Sequence, residues 1–239
     1  MFKDLLTLFL LSHIIGDFYW QSSTLAQNKQ KSFIALLLHG LLYFLAFALC
    51  IVSFFSLTLL IVSGILAGLH LLVDIIKRSL TKKLKNKTTL YISDQLLHGL
   101  FIFLAAAFLF FQAYDHRLLI PINHFFDFAV ITQFYTWLCL ILLIIKPTNI
   151  TIKQLLQEYR PDDDGSGIKN AGAFIGILER IIILLLLSIK QYSAMGLVLT
   201  AKSVARYNRI AEDKQFAEYY LLGTLLSTLF VIAGYLLLA

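Results

Sequence analysis

Residues 37–46 read LLHGLLYFLA and residues 96–105 read LLHGLFIFLA, so one apolar stretch occurs twice with a histidine in each copy. Each copy is preceded by a second matching motif, HIIGD at residues 13–17 and HLLVD at residues 70–74. The two motifs follow one another in the same order both times. This repeat predicts that the first part of the chain consists of two successive two-helix units.

The composition excludes an ordinary water-soluble domain. Of the 239 residues, 59% are hydrophobic and 14% are charged, and the mean hydropathy is +0.80, whereas soluble domains carry about 25% charged residues. Apolar runs of about 17–25 residues, the length that crosses a bilayer, recur along the whole chain. We predict an all-α polytopic transmembrane helical bundle of about eight membrane segments, the seventh of them short: 3–21, 33–54, 57–77, 91–112, 126–145, 169–189, 192–206 and 216–238.

The membrane segments divide into three regions. Residues 1–112 are the tandem-repeat half, with four helices. Residues 113–168 hold the fifth membrane helix, an amphipathic surface segment at 150–160 and an acidic, glycine-containing hinge at 161–167. Residues 169–239 hold the C-terminal membrane helices and a layer of glutamate, lysine and arginine.

The basic residues indicate the orientation in the membrane. They concentrate in the connections 22–32, 78–90, 146–168 and 207–215, which lie on one side if every segment crosses. The positive-inside rule assigns that side to the cytoplasm and both termini to the outside. Because topology explains the net charge of +6, we expect membrane lipid and no nucleic acid as partner. The sequence leaves the oligomeric state open.

Histidine and aspartate occur together in the first four predicted helices. Three pairs are spaced four residues apart, so each pair presents an imidazole and a carboxylate on one helix face. All of these residues lie near the helix ends that adjoin the basic connections, which predicts a common layer. The members of this layer are His13, Asp17, His39, His70, Asp74, Asp94 and His98.

We predict that this layer binds one or two divalent metal ions. Imidazole nitrogen and carboxylate oxygen suit zinc, manganese or iron better than calcium, and ionisable groups inside a membrane are costly and usually functional. Asp17, Asp74 and Asp94 are the predicted catalytic residues, and Gln21, one turn beyond Asp17, is predicted to orient it. The alternative is that the histidines and aspartates only bond one another and hold the helices together.

A second polar layer is predicted in the C-terminal helices. Lys202 and Arg206 are four residues apart and would share a face, which suits an anionic group of the substrate. The alternative is charge pairing that merely closes the bundle. The residues assigned to this anion-binding layer are Lys202, Arg206, Glu179, Arg180 and Glu218.

Several motifs resemble a bacterial integral-membrane family known as domain of unknown function 3307. They are HxxGDFxxQ from His13 to Gln21, the two LLHG repeats, NAGxxIGxLER from Asn170 to Arg180, AKSxxR up to Arg206 and AEYxLxGTLLS from Ala217. The resemblance implies a multi-pass protein of the bacterial cytoplasmic (inner) membrane and supplies no activity. The His/Asp pattern is also similar to that of predicted membrane-bound metal-dependent hydrolases.

Three functions are compatible with these patterns. The first is a metal-dependent hydrolase that acts near the cytoplasmic leaflet on a lipid-linked or phosphorylated substrate. The second is a transporter of an ion, a proton or a small solute, which would use the same cluster. The third is a structural scaffold whose polar residues only pack helices. Metal content separates the first from the third, and flux across liposomes identifies the second.

Overall fold

The computed structural model of the chain describes residues 1–54, 56–81, 86–112, 127–161 and 171–239. These residues are 90% helical and contain no strand, which confirms the all-α class. A π-helical segment, Ile14–Tyr19, continues α1, and short 3-10 helices follow α3 and α6 at Ile51–Phe54 and Gln157–Tyr159. The described α-helices are α1 (Phe2–His13), α2 (Ser23–Asn28), α3 (Phe33–Cys50), α4 (Leu57–Thr81), α5 (Lys87–Phe111), α6 (Phe128–Leu155), α7 (Ala171–Ser188), α8 (Tyr192–Val204), α9 (Tyr207–Glu212) and α10 (Lys214–Leu238).

Six of these helices are long and apolar enough to cross a membrane: α3 with its 3-10 turn, α4, α5, α6, α7 and α10. Each of the eight predicted segments corresponds to a helix, but α1 has 12 residues and α8 has 13. The outward faces are apolar, as shown on α3 by the exposed side chains of Leu41, Leu45 and Leu49. Such a face is stable against lipid, so the fold is that of a multi-pass membrane protein.

The chain forms two compact units, residues 1–142 and 143–239, and the boundary falls within α6. In the first unit α1 and α4 each pack against both α3 and α5. The four helices therefore follow one another in the cyclic order α1, α3, α4, α5. This arrangement gives the two repeats equivalent places, since α1 and α3 belong to the first copy and α4 and α5 to the second. The polar layer of the repeat lies inside this unit.

The π-helical segment brings α1 close to α3. Its wider turn is closed by bonds between residues five apart, such as the one from the amide of Trp20 to the carbonyl of Ile15. Gly16 lies within this segment against Tyr43, and a Cβ atom at residue 16 would be 2.9 Å from the Tyr43 ring and 3.2 Å from its Cα. The sequence predicted a regular helix here. The π turn changes the direction of Asp17, and π turns inside helices are frequent at functional sites.

Helix α6 continues past a proline at which the sequence predicted an end. The predicted segment was 126–145, whereas the helix runs to Leu155 with Pro147 inside it. Proline has no amide hydrogen to donate to the carbonyl four residues earlier, that of Leu143. The hydroxyl of Thr148 donates to that carbonyl instead, at 2.9 Å. This replacement explains why the helix is not broken.

Some sequence-based predictions fall wholly or partly outside the described residues. They include most of the acidic hinge, at 162–167, and the outer connection, at 113–126. Residues 150–155 of the predicted surface segment belong to α6. The division into the regions 1–112, 113–168 and 169–239 stays a prediction.

The contact between Gly16 and Tyr43 leads to a prediction about stability. Gly16→Ala should lower the free energy of unfolding by about 1–3 kcal/mol, because a methyl group would overlap the ring and backbone of Tyr43. The measurement is thermal unfolding of detergent-purified protein. Gly68→Ala is the matched control, since a Cβ at Gly68 meets no atom within 4 Å. Equal stability of the two variants would contradict the close approach.

Candidate metal centre

Three residues from three different segments place metal-ligand atoms together. Asp17 comes from the π-helical segment, His39 from α3 and His70 from α4. Nε2 of His39 lies 3.0 Å from Nε2 of His70 and 3.4 Å from Oδ1 of Asp17, and the same Oδ1 lies 3.9 Å from Nε2 of His70. All three residues are buried, and their ligand atoms lie within 4.8 Å of one another. This group can hold a metal ion.

The separations suit a small divalent ion. Zinc bonds of about 2.0–2.1 Å in a tetrahedral site put neighbouring ligand atoms about 3.3 Å apart. The observed distances of 3.0, 3.4 and 3.9 Å bracket that value. Three protein ligands also leave one position of a tetrahedron open, which is the arrangement of catalytic zinc sites. The donor set therefore fits zinc, and by ligand type also manganese or iron.

Asp74 lies beside this group and carries its own counter-ion. Its Oδ2 is 3.4 Å from Nε2 of His39 and 3.6 Å from Nε2 of His70. Nζ of Lys29 donates to both carboxylate oxygens, at 2.9 Å to Oδ2 and 3.2 Å to Oδ1. The exposed fractions of the two side chains are 6% for Lys29 and 2% for Asp74. Such a buried carboxylate requires a paired charge, which the ammonium group supplies.

Packing holds the ring of His70. Tyr43 stacks on it with ring centroids 3.7 Å apart and an interplanar angle of 8°, and the Tyr43 hydroxyl lies 3.0 Å from Nδ1 of His13. Metal-bound histidines usually donate from their second nitrogen, but among the described residues Nδ1 of His39 and of His70 has no partner. The stacked tyrosine fixes the plane of the His70 ring. Tyr43 was not predicted, although it follows His39 by four residues and so shares its face.

The remaining predicted ligands adjoin the same centre. The ring of His98 lies 4.3 Å from that of His70 and 5.4 Å from that of His13, measured between centroids. Nε2 of His98 is 3.4 Å from Oδ1 of Asp94, and within the described part of the chain neither atom has a hydrogen-bond partner. The structure thus brings all seven residues of the layer together. Their roles as ligands and catalysts stay predictions.

Besides Tyr43, three polar side chains at the cluster were not predicted. Lys77 donates to Oδ2 of Asp94 at 2.6 Å, and Gln95 donates to the same oxygen at 3.1 Å and to Oδ2 of Asp17 at 3.2 Å. Lys29, the partner of Asp74, is the third. Lys77 follows Asp74 by three residues and Gln95 precedes His98 by three, so the helical spacing held a signal for both. No local pattern indicated Lys29, which was predicted only as one of the basic residues in the connection 22–32.

Gln21 has a more local role than the one predicted from its position. Its Nε2 donates to the backbone carbonyl of Asp17 at 3.1 Å, and its Oε1 is buried without a partner among the described residues. The carboxylate of Asp17 receives its amide hydrogen bond from Gln95 instead. Gln21 therefore closes the end of the π-helical segment and orients Asp17 through the backbone.

The predicted anion-binding layer is engaged in internal contacts. Lys202 pairs with Glu179 and donates to the hydroxyl of Thr224 at 3.0 Å. Arg206 lies just beyond the end of α8, which is at Val204. Its guanidinium lies 5.9 Å from the centroid of the Phe216 ring, and Glu218 is exposed. Anion binding by this layer stays a prediction.

Arg180 is bound to backbone near the proline of α6. Its Nε donates to the carbonyl of Ile144 and its Nη2 to that of Ile145, while Nη1 donates to the hydroxyl of Ser227. The side chain is buried, with an exposed fraction of 2%. Its charge is thus stabilised by carbonyl dipoles beside Pro147. This arrangement gives Arg180 a structural role in joining α6, α7 and α10.

Comparison with known proteins gives a family but no relative of known activity. The family described as "Protein of unknown function (DUF3307)" matches residues 5–127. The chain belongs to this family. No curated protein matches the sequence, and no solved structure matches the fold.

The DUF3307 match contains the whole His/Asp layer, because its members lie between His13 and His98. Tyr43, Lys29, Lys77 and Gln95 lie within the same range. The Glu179 and Lys202 layer lies beyond residue 127. The family assignment therefore covers the part of the chain that holds the candidate metal centre.

The contacts of Arg180 lead to a prediction that separates structure from anion binding. Arg180→Gln should lower the free energy of unfolding by about 2–4 kcal/mol, because removing a buried charged donor leaves carbonyl groups without their partner. Arg206→Gln should cost less than about 1 kcal/mol, since it loses only a half-buried contact with a ring. Thermal unfolding in detergent measures both. A normal stability of Arg180→Gln, together with loss of stabilisation by inorganic phosphate, would favour the anion-binding role instead.

Proposed function

We propose that this protein is an integral-membrane hydrolase that uses one divalent metal ion near the cytoplasmic leaflet to cleave a lipid-linked or phosphorylated substrate. The observation that carries the proposal is the convergence of Asp17 Oδ1 and the Nε2 atoms of His39 and His70 within 4.8 Å. A bundle that only needed packing would gain more from apolar side chains here, because buried ionisable groups cost free energy inside a membrane.

The residues of the cluster would have different roles in this reaction. Asp17, His39 and His70 would hold the ion, and Asp74 lies beside them, with its Oδ2 3.4 and 3.6 Å from the two imidazole nitrogens. A bound divalent ion acidifies water and stabilises the negative charge that develops on a phosphoryl or acyl oxygen. Asp74 is the nearest carboxylate that can accept the proton of the attacking water. Tyr43 fixes His70, and Gln95 fixes Asp17.

The location of the centre supports a substrate carried by the membrane. The helices around it expose leucine, isoleucine and phenylalanine on their outer faces, so the substrate's apolar part meets lipid-like surroundings. Among the described residues of the first unit, the buried acidic and basic side chains all belong to the layer or, in the case of Lys29, contact it. A transport path would need polar groups along its whole length. A continuous path therefore has less support than a reaction at one leaflet.

Metal content is the first prediction of this proposal. Full-length protein in detergent, loaded with zinc or manganese and washed, should retain one ion per chain by elemental analysis. His39→Gln and His70→Gln should each weaken retention more than about tenfold, because a ligand is lost. His98→Gln is the matched histidine control and should retain the ion. Two ions per wild-type chain, falling to one in His98→Gln, would indicate a second site, and equal metal content in all variants would contradict the centre.

Activity is the second prediction. The loaded protein should release inorganic phosphate from phosphatidic acid, or fatty acid from phosphatidylglycerol, in mixed micelles. Asp74→Asn should lower that rate by about 10²–10⁴-fold, because the proton acceptor is lost. Asp4→Asn is the control: its carboxylate lies on α1 and pairs with the N-terminal amine. Proton or metal flux into liposomes that depends on His70, with no cleavage of either lipid, would replace hydrolysis by transport.

A further inference from the structure

The buried ion pair between Lys29 and Asp74 has a consequence for what the centre binds. Lys29 lies in the short connection between α2 and α3, and its ammonium group contacts Asp74 beside the candidate metal ligands. Arg78 holds this connection, since its Nε and Nη2 donate to the carbonyls of Gln30 and Lys31 at 3.2 and 2.9 Å. The hydrogen bonds from Arg78 therefore fix the backbone that positions Lys29 at the centre.

The charges at the centre do not cancel when a divalent ion is added. Asp17 and Asp74 contribute two negative charges and Lys29 one positive charge, while Asp94 and Lys77 cancel each other as a pair. One negative charge is left over without the ion, and one positive charge is left over with it. Uncompensated charge in a buried site is expensive. The loaded centre therefore favours an anionic ligand at its open position.

We infer that Lys29 is the anion-binding residue of this centre: once the metal ion compensates Asp74, the ammonium group of Lys29 is available to bind a phosphate oxygen at the open position. This inference rests on the proposed function. It assigns to Lys29, in the first unit, the role that the sequence had assigned to Lys202 and Arg206. Lys29 has the better geometry for it, because its Nζ already contacts the oxygen of Asp74 that lies 3.4 Å from His39 Nε2.

The distances support an exchange of partners that needs little movement. The Oδ2 atom of Asp74 lies between Lys29 and the two histidines. It is 2.9 Å from Nζ of Lys29, and 3.4 and 3.6 Å from Nε2 of His39 and His70. A phosphate oxygen near Asp74 would thus be close to the ammonium group. Three hydrogens on the ammonium allow it to hold a carboxylate oxygen and a phosphate oxygen together.

The test uses cobalt as a spectroscopic probe and inorganic phosphate as the anion. Full-length protein in detergent is loaded with Co²⁺, and its visible absorption is followed during titration with phosphate. Wild-type protein should show a saturable change, and phosphate should tighten Co²⁺ binding by the same factor by which Co²⁺ tightens phosphate binding. Lys29→Met should weaken the phosphate response by about tenfold or more, the value of a hydrogen bond to a charged group.

Two further variants separate binding from folding. Lys29→Arg keeps the positive charge and should restore most of the phosphate response. Lys31→Met removes an exposed lysine of the same connection and should behave as wild type. Lys29→Met should also bind Co²⁺ at least as tightly as wild type when phosphate is absent, because a competing positive charge is gone. A purely structural lysine would instead lower Co²⁺ binding when removed.

The outcomes distinguish this inference from the proposed function. Absence of Co²⁺ binding in wild type would remove the metal centre itself. Binding of Co²⁺ that does not respond to phosphate would retain the centre and overturn the role of Lys29. An unchanged phosphate response in Lys29→Met would do the same. If Lys29→Met does not fold, the linkage between Co²⁺ and phosphate in wild type and Lys29→Arg decides, and its absence there counts against the inference.

Discussion

The structure of the first unit depends on one constraint, which is that carboxylates inside an apolar bundle must have partners. Asp74 is paired with Lys29, and Asp94 with Lys77. Asp17 accepts a hydrogen bond from Gln95 and lies next to the imidazole of His39. These contacts connect the π-helical segment, the α2–α3 connection, α4 and α5. The polar layer therefore fixes the relative positions of the helices while it gathers the ligand atoms.

The repeat and its departures from symmetry have different consequences. The order α1, α3, α4, α5 follows from two copies of one helical hairpin, so the four histidines meet. Asp94, however, has Ala35 as its counterpart in the first copy. The layer is consequently asymmetric: Asp17 and His39 of the first copy form a three-residue group with His70 of the second, while Asp94 and His98 of the second copy lie beside Lys77. An approximately symmetric scaffold thus produces an asymmetric centre.

The sequence predicted the helices and the membership of the layer because those features are local or periodic. Apolar length located the helices of the eight predicted segments but not the short α2 and α9, which lie in predicted connections. The spacing of four residues identified the faces with His and Asp. It did not predict the π turn, which depends on a contact between Gly16 and Tyr43, residues distant in the chain. It also missed Lys29, whose position is set by Arg78 on α4. For Lys202 the alternative of charge pairing within the bundle had been left open, and Glu179 is its partner. The backbone carbonyls that accept from Arg180 were not predicted.

The guanidinium beside Pro147 also has a consequence for biogenesis. An arginine near the middle of a membrane helix raises the free energy of insertion by about 2.5–3.5 kcal/mol when the helix enters lipid alone. The carbonyls of Ile144 and Ile145, which accept hydrogen bonds from Arg180, belong to the preceding helix, α6. Helices α6 and α7 are therefore expected to enter the membrane as a pair. The turn of α6 that contains Pro147 would then supply the carbonyl groups that bind Arg180 of α7.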